Sequence, residues 1–569
     1  MFLQGCGLPQ AWAGRSSFVV LETGFGAGLN FLATWAAWRA DPTRCERLHF
    51  VSVEQHPFTA ADLARLHAVW PEFAALSQAL IAQWPMLTPG FHRIAFEEGR
   101  VQLTLMLGDA TVCISQLQAT VDAIYLDGFA PDRNPDMWQP SLFKQLARVA
   151  KPGARLATYT VAAEVRAGLA AAGFVCEKRE GFGHKRHCLA AQFVDSSSWQ
   201  QISTPVPRHV AVIGAGVAGC AVAHSLAQRG IRVTVLEQAD APAQGASGNP
   251  VAVFRPLSSR DDNTASRLMR AAFLHSLRAW TALGDALQWS QCGVLQCAKD
   301  AAHAAKLAQT LAANAAPHEF ARWVEAKEAS QLAHWPLSAA AVFYSAAGWI
   351  VPASLCRAWL AHPSIQPSYH SRVATLQAQR TGWQLLDARR GVLIDADAVV
   401  IANACDAVRL LPELNRLQTV RGQINIAPKG AWPPLNCVVA REGYVSPTPD
   451  GCHVVGSTYD YDIDCTISPV PSAKDDAENR ARLAAILPGA SAGEFPGRAA
   501  NRAVMPDRFP LLGPAPDRPN LYLATGYASR GVGLAALLAE TLASMICNEP
   551  LPLERDLVKA MDAGRANPM

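Results

Sequence analysis

Acids and glycines fall into two groupings with chemical potential. In the first, Leu21-Glu22-Thr23-Gly24-Phe25-Gly26-Ala27-Gly28 closes an apolar run at 18–22 and leads into a helical stretch. Gly24, Gly26 and Gly28 permit a tight turn and let the backbone come close to a ligand. Glu22 precedes that turn and Glu54 ends the next apolar run; acids so placed can accept hydrogen bonds from ribose hydroxyls. Gly108-Asp109-Ala110 ends a later run, where the Asp can meet an adenine amino group. Then come Tyr125-Leu126-Asp127-Gly128-Phe129-Ala130-Pro131 and Asn134-Pro135-Asp136-Met137-Trp138. Asp127 stands at the carboxyl end of a strand, the edge at which open α/β sheets bind ligands. A carboxylate there can hold an amine and take its proton as the amine attacks an electrophile. It can equally cap a proline-rich loop, and the residues alone leave both readings open.

The second grouping begins at Gly214-Ala215-Gly216-Val217-Ala218-Gly219, a G-x-G-x-x-G between the apolar run at 210–213 and a small-residue helix. The next strand ends in Glu237. Free N–H groups and the positive end of the helix suit a pyrophosphate, and the acid suits a ribose. Gly245-Ala246-Ser247-Gly248-Asn249 is a small-residue loop suited to close packing against a flavin, and residues 397–404 look like a later strand returning to the same site. Near the C-terminus, Asn501-Arg502-Ala503-Val504-Met505-Pro506-Asp507 precedes Thr525-Gly526-Tyr527-Ala528-Ser529-Arg530-Gly531-Val532-Gly533. The latter opens a helix whose N-terminus presents a positive dipole end to a ligand. Residues 421–424 and 444–447 are candidate sheet segments over that site.

These side chains need scaffolds. Strand-like runs at 18–22, 48–54, 101–107, 121–127 and 155–159 alternate with helix-like runs at 29–39, 60–82 (interrupted at Pro71) and 141–149. That alternation predicts a doubly wound, mainly parallel sheet. The polar, proline-containing segment 195–207 reads as a linker. The predicted class is α/β. A Rossmann-like domain spans 1–194, and a two-domain unit spans 208–569. In that unit a Rossmann-type nucleotide domain carries an α+β substrate domain inserted from Arg255 to about Ala499. With 569 residues, 50% hydrophobic and 17% charged, the chain has material for such cores. A net charge of +3 means that any RNA-binding surface is a local patch. The 14 cysteines include no C-x-x-C pair or zinc-type spacing, so no metal site is expected and reduced thiols of a cytoplasmic protein are. The most membrane-like stretch, 210–227, reads as a buried strand, turn and helix, and no membrane association is expected.

The series L-E-T-G-F-G-x-G-L-N-F, then D-G-F-A-P-x-x-N-P-D-M-W, then Gly181-Phe182-Gly183-His184-Lys185-Arg186 resembles the methyltransferase half of the bifunctional tRNA 5-methylaminomethyl-2-thiouridine biosynthesis (MnmC) family. Ala246-Ser247-Gly248-Asn249, the run from Trp289 to Gln296, and Ser529-Arg530-Gly531 resemble its oxidase half, of the D-amino-acid, glycine and sarcosine oxidase superfamily. The resemblance implies S-adenosylmethionine (SAM) in the first domain, FAD in the second, and tRNA, at wobble uridine 34, as the substrate. It implies oxidative loss of the carboxymethyl group of 5-carboxymethylaminomethyl-(2-thio)uridine as glyoxylate, then N-methylation of the exposed amine, with Asp127 as the acceptor-amine residue.

The substrate carboxylate calls for a bidentate cation, for which Arg suits better than Lys. Arg502 is the first choice, with Tyr444 as helper and Arg530 as the alternative. Lys178, Arg179, Lys185 and Arg186, with Arg255 and Arg260, are the best basic clusters for RNA, each also readable as a solvated turn. Members of the family carry several dozen residues before the segment that here is Phe2-Leu3-Gln4-Gly5. The first domain is therefore expected to be N-terminally shortened, through a misassigned start or with impaired methyl transfer. Two alternatives stand beside this reading: an amine oxidase acting on a small molecule, and a tRNA-binding protein in which the oxidase half alone is active.

Overall fold

The computed structural model describes residues 1–130, 132–181, 186–195, 205–461, 463, 468–491 and 493–566. The chain forms two compact units, Met1–Val206 with Ser544–Asp556, and Pro207–Ala543 with Leu557–Met569. The sequence predicts a second unit running unbroken from 208, whereas Ser544–Asp556 clusters with the first. Its Glu549, buried, pairs with Arg47 at 2.9 Å, a contact between distant residues that no local pattern announces.

The first unit is built on one sheet. Its strands are β1 (Ser17–Glu22), β2 (Arg47–Glu54), β3 (Gly90–Phe96), β4 (Val101–Leu107), β5 (Val121–Tyr125), β6 (Ala150–Thr158), β7 (Phe174–Glu180) and β8 (His187–Phe193), in the order β3-β4-β2-β1-β5-β6-β8-β7. From β4 to β6 the pairings are parallel; β3, β7 and β8 are added antiparallel. Leaving β1, the chain goes to β2 on one side and later returns to β5 on the other. The crevice beyond the carboxyl end of β1 is thus a topological switch point, where such sheets bind ligands. Both faces of β1 are covered: Phe18 and Val20 pack with Trp35 and Phe50, and Val19 and Leu21 with Ile124 and Phe143. Period-two alternation requires this when both faces of the sheet are covered, and each such side chain contributes about 1.5–3 kcal/mol on burial. The break predicted at Pro71 separates helices Ala60–His67 and Ala74–Ala82. Strands β3, β7 and β8 are additions to the predicted pattern; β7 is exposed from Glu177 to Glu180, which erases its apolar signal.

In the second unit, parallel strands Ile365–Ser368, Arg232–Leu236, His209–Ile213, Ala398–Ile401 and Leu521–Thr525 form the nucleotide sheet, edged by antiparallel Leu511–Pro514. The strand predicted near 397–404 is the direct neighbour of His209–Ile213. An eight-stranded mixed sheet supplies the second layer and contains Val294–Cys297, Val438–Ala440, Tyr444–Pro447, Gln418–Ala427 and Gly497–Val504. This layer passes the predicted limit at Ala499, because Gly497–Val504 pairs along its whole length with Gln418–Asn425. Residues 210–227 form the buried strand, turn and helix expected of them; among the described residues the one helix long and apolar enough to cross a membrane is Ala528–Ile546, and 72% of its most apolar window is buried. The thirteen described cysteines are free.

Candidate functional site

At the switch point of the first unit, a glycine turn and two acids are tied together. Glu22 is fully buried; its Oε1 accepts from Asn30 Nδ2 at 2.8 Å and its Oε2 from Ser52 Oγ at 2.6 Å. The same Asn30 nitrogen donates to Asp127 Oδ2 at 2.9 Å, while Asp127 Oδ1 accepts from the Gly128 N–H at 2.8 Å. Burial pushes the Glu22 carboxyl well above its usual range; the hydrogen bond from Ser52 opposes this and the Asp127 charge adds to it. Gly28 requires glycine: its φ is +72°, and an added Cβ would lie 2.6 Å from the Phe25 ring. Gly24 lies against the backbone of Asp127 and Gly128, and Gly26 borders open space, as a nucleoside-cofactor cradle needs.

Two of the predicted cofactor acids have other partners. Glu54 clamps the turn itself, accepting from Gly26 N–H at 2.8 Å and His56 N–H at 2.8 Å. Asp109 caps the helix Ala110–Gln116, accepting from Val112 N–H at 2.9 Å, the ordinary work of an Asp before a helix.

Strand β5 ends at Tyr125, so Asp127 sits in the loop beyond it. Tyr159 Oη donates to the Gly128 carbonyl and Trp138 Nε1 to the Phe129 carbonyl, both at 2.9 Å. The backbone is thereby pinned while the Phe129 ring stays exposed. Of the motif that follows Asp127, Pro131 lies outside the described residues. Lys178 and Arg179 lie on exposed β7, where Arg179 pairs with Glu177 at 2.9 Å. Arg186 is exposed, and Lys185 and His184 lie outside the described residues.

In the second unit, His209–Ile213 turns through Gly214 and Gly216 into the helix Val217–Ala227. Gly214 has φ +103°, and a Cβ there would lie 2.9 Å from the Ala402 carbonyl; on Gly219 it would lie 1.9 Å from the Gly214 carbonyl. Gly219→Ala must therefore displace backbone. It is expected to lower the flavin content of purified protein by more than about tenfold, read from visible absorbance, with SAM binding by the first unit retained. Glu237 braces the turn, accepting from Ala215 N–H at 2.7 Å and Ala239 N–H at 3.0 Å. Ser247 Oγ accepts from Val217 N–H at 3.1 Å, occupying one of the free donors of that helix. Arg498 donates to Asn249 Oδ1 at 2.5 Å and to the Gly245 carbonyl at 2.8 Å, and its guanidinium fills the space beside Gly248.

A cavity of about 490 Å³ lies between the two sheets of this unit. Gly216 borders it at the start of one helix, and Gly526, Ser529, Arg530 and Gly531 at the start of Gly531–Ile546, so two positive helix ends open on one space. Arg502 and Tyr444 line it from the mixed sheet. Arg502 is buried, donates to the Thr458 carbonyl at 3.2 Å, and lies 4.8 Å from the Tyr459 ring centre. Its guanidinium crosses Gly422, where a Cβ would come within 2.1 Å of Nη1. Burial pushes the Tyr444 phenol up to about 12, against the pull of Arg502, so it stays a hydrogen-bond donor. Burial lowers Arg530, and the neighbouring Arg508 and Arg255 cations lower it further. Tyr527 and Gln296 are among the residues that line the cavity, and their Oη and Oε1 atoms are buried without a hydrogen-bond partner.

The sequence reading misses Asn30, Ser52, Gln296 and Tyr459. Only Asn30 carries a local signal, since Asn is a poor helix former at the second position of Leu29–Ala40.

Two nucleotide-type clefts on two doubly wound sheets define a SAM-dependent methyltransferase joined to an FAD-dependent oxidoreductase. Residues 71–193 match the family model described as S-adenosyl-L-methionine-dependent methyltransferase, and residues 209–545 the one described as FAD dependent oxidoreductase. The chain belongs to the family of the tRNA 5-methylaminomethyl-2-thiouridine biosynthesis bifunctional protein MnmC. It is 59% identical to the protein of that name from Thiobacillus denitrificans, over 99% of this chain and 92% of the relative. To that from Aromatoleum aromaticum it is 45% identical, over the same shares. Among solved structures, glycine oxidase from Geobacillus kaustophilus shares the oxidoreductase fold, with a TM-score of 0.54 and 21% identity over 63% of this chain and 99% of that one. FAD and SAM are accordingly the cofactors.

Proposed function

We propose that this protein modifies wobble uridine 34 of tRNA in two consecutive steps. The oxidase removes the carboxymethyl group of 5-carboxymethylaminomethyl-(2-thio)uridine, and the methyltransferase methylates the amine so exposed to give 5-methylaminomethyl-(2-thio)uridine. The observation that carries this reading is the buried Arg502 guanidinium beside the Tyr444 phenol in the cavity of the FAD unit, a receptor for a small carboxylate. The names of the relatives, which are tRNA 5-methylaminomethyl-2-thiouridine biosynthesis proteins, support tRNA as the substrate.

Residues 1–194 act as the methyltransferase, 195–207 as the linker and 208–569 as the oxidase, apart from Ser544–Asp556, which clusters with the first unit, in a cytoplasmic protein without a membrane partner. Gly214, Gly216, Gly219, Glu237, Ser247, Gly248, Asn249, Gly526, Ser529, Arg530 and Gly531 hold FAD, which supplies a two-electron acceptor. Arg502 and Tyr444 fix the substrate carboxylate, which aims the adjacent C–H bond, and the walls of the cavity limit water. The substrate loses a hydride and a proton to become an imine, and water splits that imine into the primary amine and glyoxylate.

Glu22, Gly24, Gly26 and Gly28 hold SAM, which supplies the methyl group; Glu54 and Asp109 serve it through the backbone they brace. Asp127 holds the primary amine. As the amine nitrogen bonds to the methyl carbon, the carbon–sulfur bond breaks with its electrons going to sulfur, and Asp127 takes the amine proton. Lys178, Arg179, Lys185 and Arg186 contribute to RNA binding.

The test is anaerobic flavin reduction by hypomodified tRNA, compared with free glycine or sarcosine, followed by nucleoside analysis. Reduction by tRNA alone is expected, with loss of the carboxymethyl nucleoside and SAM-dependent appearance of the methylated one. Bleaching by glycine or sarcosine without response to tRNA would assign the protein to small-molecule oxidation.

A further inference from the structure

We infer that Asn30 is a positioning residue for methyl transfer, holding the Asp127 carboxylate in place by cross-linking it to the buried Glu22. This rests on Asp127 being the amine-binding group and goes beyond that assignment. An amide nitrogen has two N–H groups, and those of Asn30 are directed to different carboxyls, Glu22 Oε1 at 2.8 Å and Asp127 Oδ2 at 2.9 Å.

The two ends differ in rigidity. Glu22 terminates β1, is fully buried, and is held from β2 by Ser52. Asp127 lies two residues past the end of β5, in the loop. An anchor is therefore useful at Asp127, and Asn30 takes it from a regular helix. That helix is itself pegged to β5: Thr34 Oγ1 donates to the Asn30 carbonyl at 2.6 Å and shares a 3.1 Å hydrogen bond with Tyr125 Oη.

Asp127 Oδ1 accepts from Gly128 N–H and Oδ2 from Asn30, and two donors from different elements set the plane of the carboxylate. Burial favours the proton-bearing form of Glu22, and Asp127 is the more accessible of the two acids. Removing Asn30 takes away the donor shared by the two acids and one of the hydrogen bonds that orient Asp127.

The experiment uses the full chain with FAD and compares parent, Asn30→Ala and Asn30→Asp. Methyl transfer to hypomodified tRNA is followed with labelled SAM, SAM Kd by calorimetry, and amine oxidation separately. Both variants are expected to lose kcat for methyl transfer by about 10- to 100-fold. KM for tRNA, SAM Kd and oxidase turnover are expected to change by less than about threefold. Asn30→Asp keeps the shape and removes the donors, so a loss equal to that of Asn30→Ala identifies the hydrogen bonds, and full recovery of kcat in Asn30→Asp overturns the inference. So does unchanged kcat in Asn30→Ala, or a weakened SAM Kd with kcat preserved, which would make Asn30 a cofactor residue. Should both fail to bind SAM through misfolding, Asn30→Gln decides: it keeps the amide but displaces it, and an unaltered kcat counts against the inference. Asp127→Ala is measured in parallel. Full methyl transfer in that variant would remove the assignment of Asp127 itself, whereas an inactive Asp127→Ala beside fully active Asn30 variants removes the positioning role alone.

Discussion

Asp127→Ala is expected to abolish methyl transfer while amine oxidation proceeds at the parental rate. The carboxylate stands at the switch point of the first sheet, within hydrogen-bond reach of Asn30 and one residue from the glycine whose carbonyl Tyr159 holds. A primary amine is mostly protonated at neutral pH and cannot attack until it loses a proton. A positioned base contributes about 10²–10⁴-fold to such a step, and the side chain that orients the nitrogen is lost with it. Truncation to Ala leaves the hydrogen bonds of Glu22 to Asn30 and Ser52 in place, so SAM binding should survive. The measurement is SAM-dependent methyl incorporation into tRNA carrying the free aminomethyl group, with oxidation of carboxymethyl tRNA as the internal control. Retained methylation would transfer the base role elsewhere; loss of both activities would mean that the substitution disrupts the chain as a whole.

Arg502→Lys should lower kcat/KM for oxidation of the carboxymethyl substrate by about 10- to 100-fold, the worth of a charge-assisted hydrogen bond of about 1.5–3 kcal/mol. Lys keeps the positive charge but gives up the planar fork. Arg502 relies on that fork: its guanidinium lies over Gly422, stacks near Tyr459 and donates to the Thr458 carbonyl. An ammonium cannot satisfy this bed and grip both carboxylate oxygens as well. Flavin content should not change, because the glycine turn and Glu237 lie on the nucleotide sheet and Arg502 on the mixed one. Stopped-flow reduction of bound flavin by carboxymethyl tRNA reads the effect directly. Parental turnover would pass the carboxylate role to Arg530, which borders the same cavity.

Asp127 and Arg502 were both legible as candidates, for different reasons. Asp127 follows a strand-like run, and the end of a strand in an open sheet is a ligand edge whatever the remaining contacts are. Arg502 could be chosen because a carboxylate favours a fork over a point charge, although nothing local separated it from Arg530. Glu54 and Asp109 show the opposite limit. Their positions after strands were read correctly, yet the partners they take are backbone N–H groups of the turn and of a helix start, since a short acid meets its nearest donors first.

By itself, the sequence determined the two glycine turns, the acids at the strand ends, and the alternation that makes both sheets doubly wound. These are local properties: a φ near +72° at Gly28 or +103° at Gly214 excludes most side chains, and burial on both faces of a strand writes an unbroken apolar run. Tertiary structure alone decided which polar atoms meet. Asn30 lies close in the chain to Glu22 and far from Asp127, Arg502 crosses a glycine on the neighbouring strand, and Ser544–Asp556 returns to the first unit. Such meetings depend on strand order and register, which bring distant residues within 3 Å and leave no periodic trace in the chain.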